Sequence, residues 1–176
     1  MRIISGTHGG RPIRMPNEFS ARPTTDFAKT ALFNILNNSI DYEEITVLDL
    51  FSGTGSISYE FASRGAKLVE LVEMMQDNYS FICKTIQALK FNNIRPYRAD
   101  AFVYLKKSHN KYDVIFADPP YTNENIIQIP DLVFENGLLL PDGVLIIEHS
   151  SKIKFEEHPH FRERRSYGRV NFSFFR

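Results

Sequence analysis

Ile45-Thr46-Val47-Leu48-Asp49-Leu50 runs directly into Phe51-Ser52-Gly53-Thr54-Gly55-Ser56. The first six residues form a short, β-branched apolar run of the kind that makes a buried strand. The next six change character. Two glycines let the backbone come close to a ligand, and the helix that opens at Ser56 offers free N–H groups. Asp49 stands just before the loop. The stretch reads as strand, ligand-binding turn and helix, and the fold follows from repeating it.

Working outward, residues 67–73, 112–118 and 143–148 are further apolar runs bounded by turn residues, and residues 94–98 are a weaker strand candidate. Helical segments are predicted between them at 56–64, 101–107 and 124–136. Pro130 predicts a kink or a late start in the last. Tyr79, Ile82, Cys83, Ile86 and Leu89 fall on one face at helical spacing, which makes Cys83 core filling. Strand–helix alternation implies a parallel sheet with helices on both faces and right-handed crossovers. The ends differ. Residues 2–7 and 11–14, around His8-Gly9-Gly10, predict a small N-terminal β-hairpin. A helix is predicted from about Thr25, with Thr24 or Thr25 as cap and Asp26 in the first turn. Residues 161–166 and 170–175 predict a terminal hairpin turning at Tyr167-Gly168.

The chain has 176 residues, enough for one domain plus a small appendage. Its single cysteine excludes a disulfide framework and a multi-cysteine zinc site. The apolar runs are too short to span a membrane, and the N-terminus carries no signal-type apolar region. A cytoplasmic, soluble protein with no membrane partner is the expectation. The formal net charge is zero, but it is unevenly spread: residues 1–30 carry +3, residues 151–176 carry +4 and residues 31–150 carry −7. Basic ends of this kind suit a nucleic-acid contact surface.

The central acids suit a different ligand. Asp49 precedes the glycines, Glu73 ends the next strand 20 residues after Gly53, and Asp100 ends the strand candidate after that, with Phe102 close by. An acid at the place of Glu73 accepts ribose hydroxyls. The third glycine of a dinucleotide fingerprint is missing, because Ser58 stands there. Three carboxylates at successive strand ends would repel a pyrophosphate. They favour a ligand with an ammonium, a sulfonium and a neutral adenosine, which is S-adenosylmethionine.

Asp118-Pro119-Pro120-Tyr121 closes another strand. Two prolines make a rigid turn, which is its plain structural use. They also lack N–H groups. The loop therefore directs a carboxylate and a carbonyl at one spot with no competing donor. Such a spot fits an exocyclic amine, and Tyr121 stacks on the ring that carries it. The amine is a poor nucleophile because its lone pair is delocalised into the ring. Two acceptors on its hydrogens free that pair, and placement at roughly 3–3.5 Å from the carbon attacked does the rest.

The glycine loop with Asp118-Pro119-Pro120-Tyr121 resembles the class I amino-methyltransferases. Arg22-Pro23-Thr24-Thr25-Asp26, followed by Leu32-Phe33-Asn34 and preceded by Arg2-Ile3-Ile4-Ser5-Gly6 and Gly10-Arg11, narrows the resemblance. Together these segments are similar to the bacterial 16S ribosomal RNA guanine-2-amino methyltransferases, the RsmD-type family, over essentially the whole chain. The resemblance implies a Rossmann-like α/β fold with a seven-stranded, mostly parallel sheet. It implies two regions: residues 1–22 as a hairpin extension that binds RNA, and residues 23–176 as the methyltransferase domain. It implies Asp49, Phe51, Gly53, Gly55, Glu73, Asp100, Ala101 and Phe102 around the cofactor. It places Asp118, Pro119, Pro120 and Tyr121 at the target guanine, and Arg22 and Thr24 in the cleft between the two regions. Arg11 and Arg14, with Arg22, are the expected phosphate contacts. The implied partner is 16S ribosomal RNA or the assembling small subunit, met by a monomer. In one departure, Phe27-Ala28-Lys29-Thr30 keeps a single basic residue where the family carries more.

Three other functions are compatible with parts of the pattern. A DNA adenine amino-methyltransferase shares the chemistry, but the chain has no room for a separate domain that reads a DNA groove. A non-catalytic module that holds the cofactor or RNA would not need the intact Asp118 loop. An NAD-dependent oxidoreductase is disfavoured by Ser58 and by the lack of an acid–base pair. The histidines show no metal-binding helical spacing, and metal is not expected.

Overall fold

The computed structural model describes residues 1–15, 25–120 and 122–176. Seven strands form one sheet: β1 (Thr46–Leu50), β2 (Leu68–Glu73), β3 (Ile94–Arg98), β4 (Tyr112–Ala117), β5 (Leu139–His149), β6 (Phe161–Tyr167) and β7 (Val170–Phe175). Their spatial order is β3-β2-β1-β4-β5-β7-β6. β7 pairs antiparallel with both its neighbours, and the other pairings are parallel. This is the mostly parallel sheet implied by the sequence.

Alternation along the strands sorts side chains to two faces. Val47, Leu71, Phe116, Ile146 and Phe172 meet α1 (Asp26–Leu36), α2 (Ser56–Ser63) and α3 (Gln76–Leu89). Leu48, Val72, Ile115, Leu145 and Phe175 meet α4 (Ala101–Lys107) and α5 (Ile129–Glu135). The segment 124–136 divides as Pro130 predicts: a 3-10 turn covers Glu124–Gln128, and the helix begins at Ile129 with Pro130 in its first turn. Thr25 caps α1 by accepting from the Ala28 N–H. Cys83 lies half-buried on the flank of α3, outside the core; the buried positions of that helix are Asn78, Ile82 and Thr85.

The N-terminal hairpin has only one ladder bridge, Arg2 with Pro12. The cause lies in α2. Glu60 accepts from the Ile4 and Ser5 N–H groups at 2.7 and 3.0 Å, and Ser63 takes the Thr7 N–H on its carbonyl and the His8 N–H on its hydroxyl. Those donors go to the helix instead of the opposite arm, whose Gly10 and Ile13 N–H groups bond the Ile3 and Met1 carbonyls. The turn at His8 rests on the C-terminal ends of α2 and α3, where the His8 ring contacts the Leu89 carbonyl and Phe91. The open end, at Met1 and Ile13, lies by Thr54 and α1.

Candidate functional site

Register brings the loops after β1, β2, β3 and β4 to one crest. Leu50 lies opposite Val72 and Ala117, and Glu73 lies opposite Arg98. Ligands bind beyond such strand ends in open α/β sheets. At the centre, Phe51, Gly53 and Gly55 have φ of 58, 55 and 78°. Gly55 is confined twice. Its φ is left-handed, and a Cβ there would stand 2.6 Å from the Tyr59 ring. The loop is held from below: the Ser52 hydroxyl donates to the Asp49 carbonyl at 2.7 Å, and the Gly55 N–H donates to the Ser52 carbonyl. Glu73 fixes it from the side, accepting from the Gly53 and Met75 N–H groups at 2.8 and 2.7 Å.

Asp49 is buried, and the Ser58 hydroxyl donates to its carboxylate. Burial raises its pKa to about 7; hydrogen bonds from Ser58 and Ser52 oppose the rise, and the Glu73 charge adds to it. Ser58 thus has a role beyond interrupting a dinucleotide fingerprint: it supports the carboxylate. Asp100 caps α4 through one oxygen, which accepts from the Val103 N–H at 2.9 Å. Ala101 is buried behind it. Phe102 meets Phe51 edge to face at 5.7 Å. These two half-buried rings and the acids fit the cofactor suggested by the sequence: apolar walls for a flat base, and carboxylates for hydroxyls and a cation.

Asp118 stands beside this loop, its N–H directed at the Leu50 carbonyl at 3.4 Å. Pro119 is buried and Pro120 exposed, and the Pro120 carbonyl accepts from the Asn123 N–H at 2.8 Å. Tyr121, Arg22 and Thr24 lie outside the described residues. Arg11 and Arg14 are exposed; Arg14 follows Ile13 at the open end of the hairpin, while Arg11 lies nearer its turn.

One part of the apparatus was invisible in the sequence. Lys29 is buried and donates to the Arg2 carbonyl at 2.6 Å and the Ser56 hydroxyl at 3.1 Å, with Glu60 at 4.0 Å. Burial lowers its pKa, and Glu60 opposes that. Glu60 also pairs with Arg64 at 2.9 Å. This network ties the hairpin to the first turn of α2, beside Gly55. Lys29 is therefore committed inward and presents no charge to solvent. His149 is equally internal, buried between Ser173 and Phe155. Among the described residues no cluster of side chains is suited to a metal ion.

Sheet order, the glycine loop and the acids along the crest define a class I methyltransferase. The chain belongs to the family described as Conserved hypothetical protein 95, the RsmD-type family, which matches residues 1–176. It is 31% identical to the ribosomal RNA small subunit methyltransferase D of Buchnera aphidicola subsp. Baizongia pistaciae, over 87% of this chain and 78% of that one. It is 34% identical to the protein of the same description from Haemophilus influenzae, covering 84% and 78%. The solved structure of yhhF from Escherichia coli is similar with a TM-score of 0.86 at 26% identity, covering 99% of this chain and 96% of that one.

Proposed function

We propose that this chain methylates the 2-amino group of a guanine in 16S ribosomal RNA, within the small subunit or its assembling precursor. The methyl donor is S-adenosylmethionine, which supplies an electrophilic methyl group. One observation carries the reading: the glycine loop, with Asp49 and Glu73, is joined to the Asp118-Pro119-Pro120 loop at neighbouring strand ends by the Asp118–Leu50 contact. A site for a cationic donor thus adjoins a site for an amine. The names of the relatives support ribosomal RNA as the substrate.

In this reading Asp49 faces the methionine ammonium, Glu73 takes the ribose hydroxyls, and Asp100 and Phe102 with Phe51 hold adenine. Gly53 and Gly55 allow the close approach of the backbone. Asp118 accepts from the guanine amine, Pro119 and Pro120 fix the loop, and Tyr121 stacks on the base. Arg11, Arg14 and Arg22 with Thr24 contact the RNA, so residues 1–22 serve as the RNA-binding extension of a domain comprising 23–176. One chain supplies all these groups, and a monomer suffices. No helix among the described residues is long and apolar enough to cross a membrane, and no membrane partner enters the reading.

Asp49 gives cofactor binding a defined pH dependence. Its folded pKa of about 7 means that the empty site is protonated below neutrality. A cationic ligand favours the carboxylate, so affinity rises with pH up to about 7. It falls again above about 8, where an α-amino group loses its own proton. The stability of the empty protein follows the opposite sign: the folded state binds the extra proton, so the Asp49 contribution declines as pH rises from about 4 to 7. Calorimetric titration with S-adenosylmethionine from pH 5.5 to 9 tests this. A flat affinity profile below pH 7 would remove Asp49 from the ammonium site.

Labelled methyl transfer into undermethylated small subunits, naked 16S RNA and duplex DNA tests the function itself. Transfer to an RNA substrate is expected. Transfer to DNA alone would assign the chain to adenine methylation instead, and binding without transfer would make it a non-catalytic module.

A further inference from the structure

A groove of about 560 Å³ runs along the outer side of α1, closed on its far side by β6. Both of its walls reach the crevice end of the sheet. The Asp26 end of α1 lies there, since the helix runs down to the segment that enters β1. The turn between β6 and β7 lies there too, because Asn171 pairs with His149 at the C-terminal end of β5. Phe27, in the first turn of α1, is 68% exposed, and its ring meets Tyr167 edge to face at 6.4 Å. Arg2 and Arg165 line the same groove. Arg169 stands exposed in the turn beside Tyr167, where Gly168 takes a φ of 63°.

We propose that this groove is a docking surface for the single-stranded RNA that flanks the target nucleotide. The inference deepens the reading given above and rests on it. Three arginines stand at the groove, Arg2 and Arg165 in its lining and Arg169 in the adjoining turn, against the two acids Asp26 and Glu163. Charge of that sign suits a phosphate backbone. The exposed Phe27 ring, set against half-buried Tyr167, suits a base, since every base has a face on which an aromatic ring stacks. Arg2 and Arg165 are held by Asp26 at 2.9 Å and Glu163 at 3.0 Å. Both pairs are exposed, and exposed pairs are weak enough for a phosphate to displace the acid. An acidic peptide would satisfy the arginines but leave the aromatic pair without a flat partner.

The test uses the full chain, Phe27→Ala and Arg169→Ala. A fluorescein-labelled, mixed-sequence single-stranded RNA 12-mer reports binding, and undermethylated small subunits report transfer. Phe27→Ala is expected to weaken 12-mer binding about tenfold and to raise KM with kcat unchanged. Arg169→Ala is expected to reduce the slope of log affinity against log salt by about 0.7. Wild-type binding and wild-type KM in both variants would overturn the proposal. Defects confined to assembled subunits, with the 12-mer bound normally, would also overturn it and make the groove a protein contact. If the variants lose 12-mer binding while the wild-type chain methylates no RNA at all, the docking surface stands and the methylation reading falls.

Discussion

Asp118→Ala is expected to lower kcat by about 10²–10³-fold, the range for loss of one preorganised polar contact in a transition state. Cofactor affinity should stay within about twofold. The expectation follows from position: Asp118 lies in the loop after β4, whereas the acids assigned to the cofactor stand near the ends of β1 and β2, at Asp49 and Glu73, and just after β3, at Asp100. In the proposed role its carboxylate draws on the amine hydrogens as the nitrogen becomes tetrahedral, an interaction that gains strength only as the reaction proceeds. Single-turnover rates and cofactor titrations on the same preparation separate the two effects. A variant that transfers methyl groups at the wild-type rate would exclude Asp118 from polarising the amine.

Glu60→Ala should be the most destabilising of the changes considered. The carboxylate is fully buried, and its removal leaves Lys29 as an uncompensated buried cation. It also orphans the Ile4 and Ser5 N–H groups. Breaking a buried pair in this way costs about 3–5 kcal/mol, which for a chain of this length lowers Tm by roughly 10 °C. Replacing Lys29 with methionine in the same variant should recover part of the loss, because the stranded charge goes with it. Thermal denaturation of the single and double variants checks both statements. An unchanged Tm in Glu60→Ala would mean that the network contributes nothing to stability.

The contrast between these two residues shows what the sequence reveals. Asp118 is legible because prolines on its C-terminal side and a β-branched run on the other leave few local readings. Asp49, Gly53 and Gly55 are legible for the same reason, as punctuation between a strand and a helix. Even the weak strand at Ile94–Arg98 forms with the predicted bounds. Glu60 is not legible. In Ser56-Ile57-Ser58-Tyr59-Glu60-Phe61-Ala62-Ser63, Ser56, Glu60 and Ser63 fall on one face at helical spacing, which reads as a solvated side. In the fold all eight are buried, because the N-terminal hairpin covers the outer side of α2. Four of its polar side chains then have partners outside the helix: Ser56 receives Lys29, Ser58 holds Asp49, Glu60 takes the hairpin amides and Ser63 bonds Ser5 and His8. Except for Asp49, nine residues before Ser58, these partners lie more than 25 residues away and leave no periodicity behind. Lys29 was obscured in the same way, as a lone basic residue on a helix that turned inward. The charge pattern became informative only with topology, which places the β6–β7 turn and the start of α1 at the same end of the sheet as the glycine loop.

The central claim concerns which atom receives the methyl group. After incubation of the protein with labelled S-adenosylmethionine and undermethylated small subunits, nuclease digestion and mass spectrometry of the nucleosides identify it. The expected result is label in 2-methylguanosine, mapping to one position of 16S RNA and lost in Asp118→Ala. Label in another nucleoside, or in DNA adenine, would contradict the assignment of the amine-binding loop to guanine.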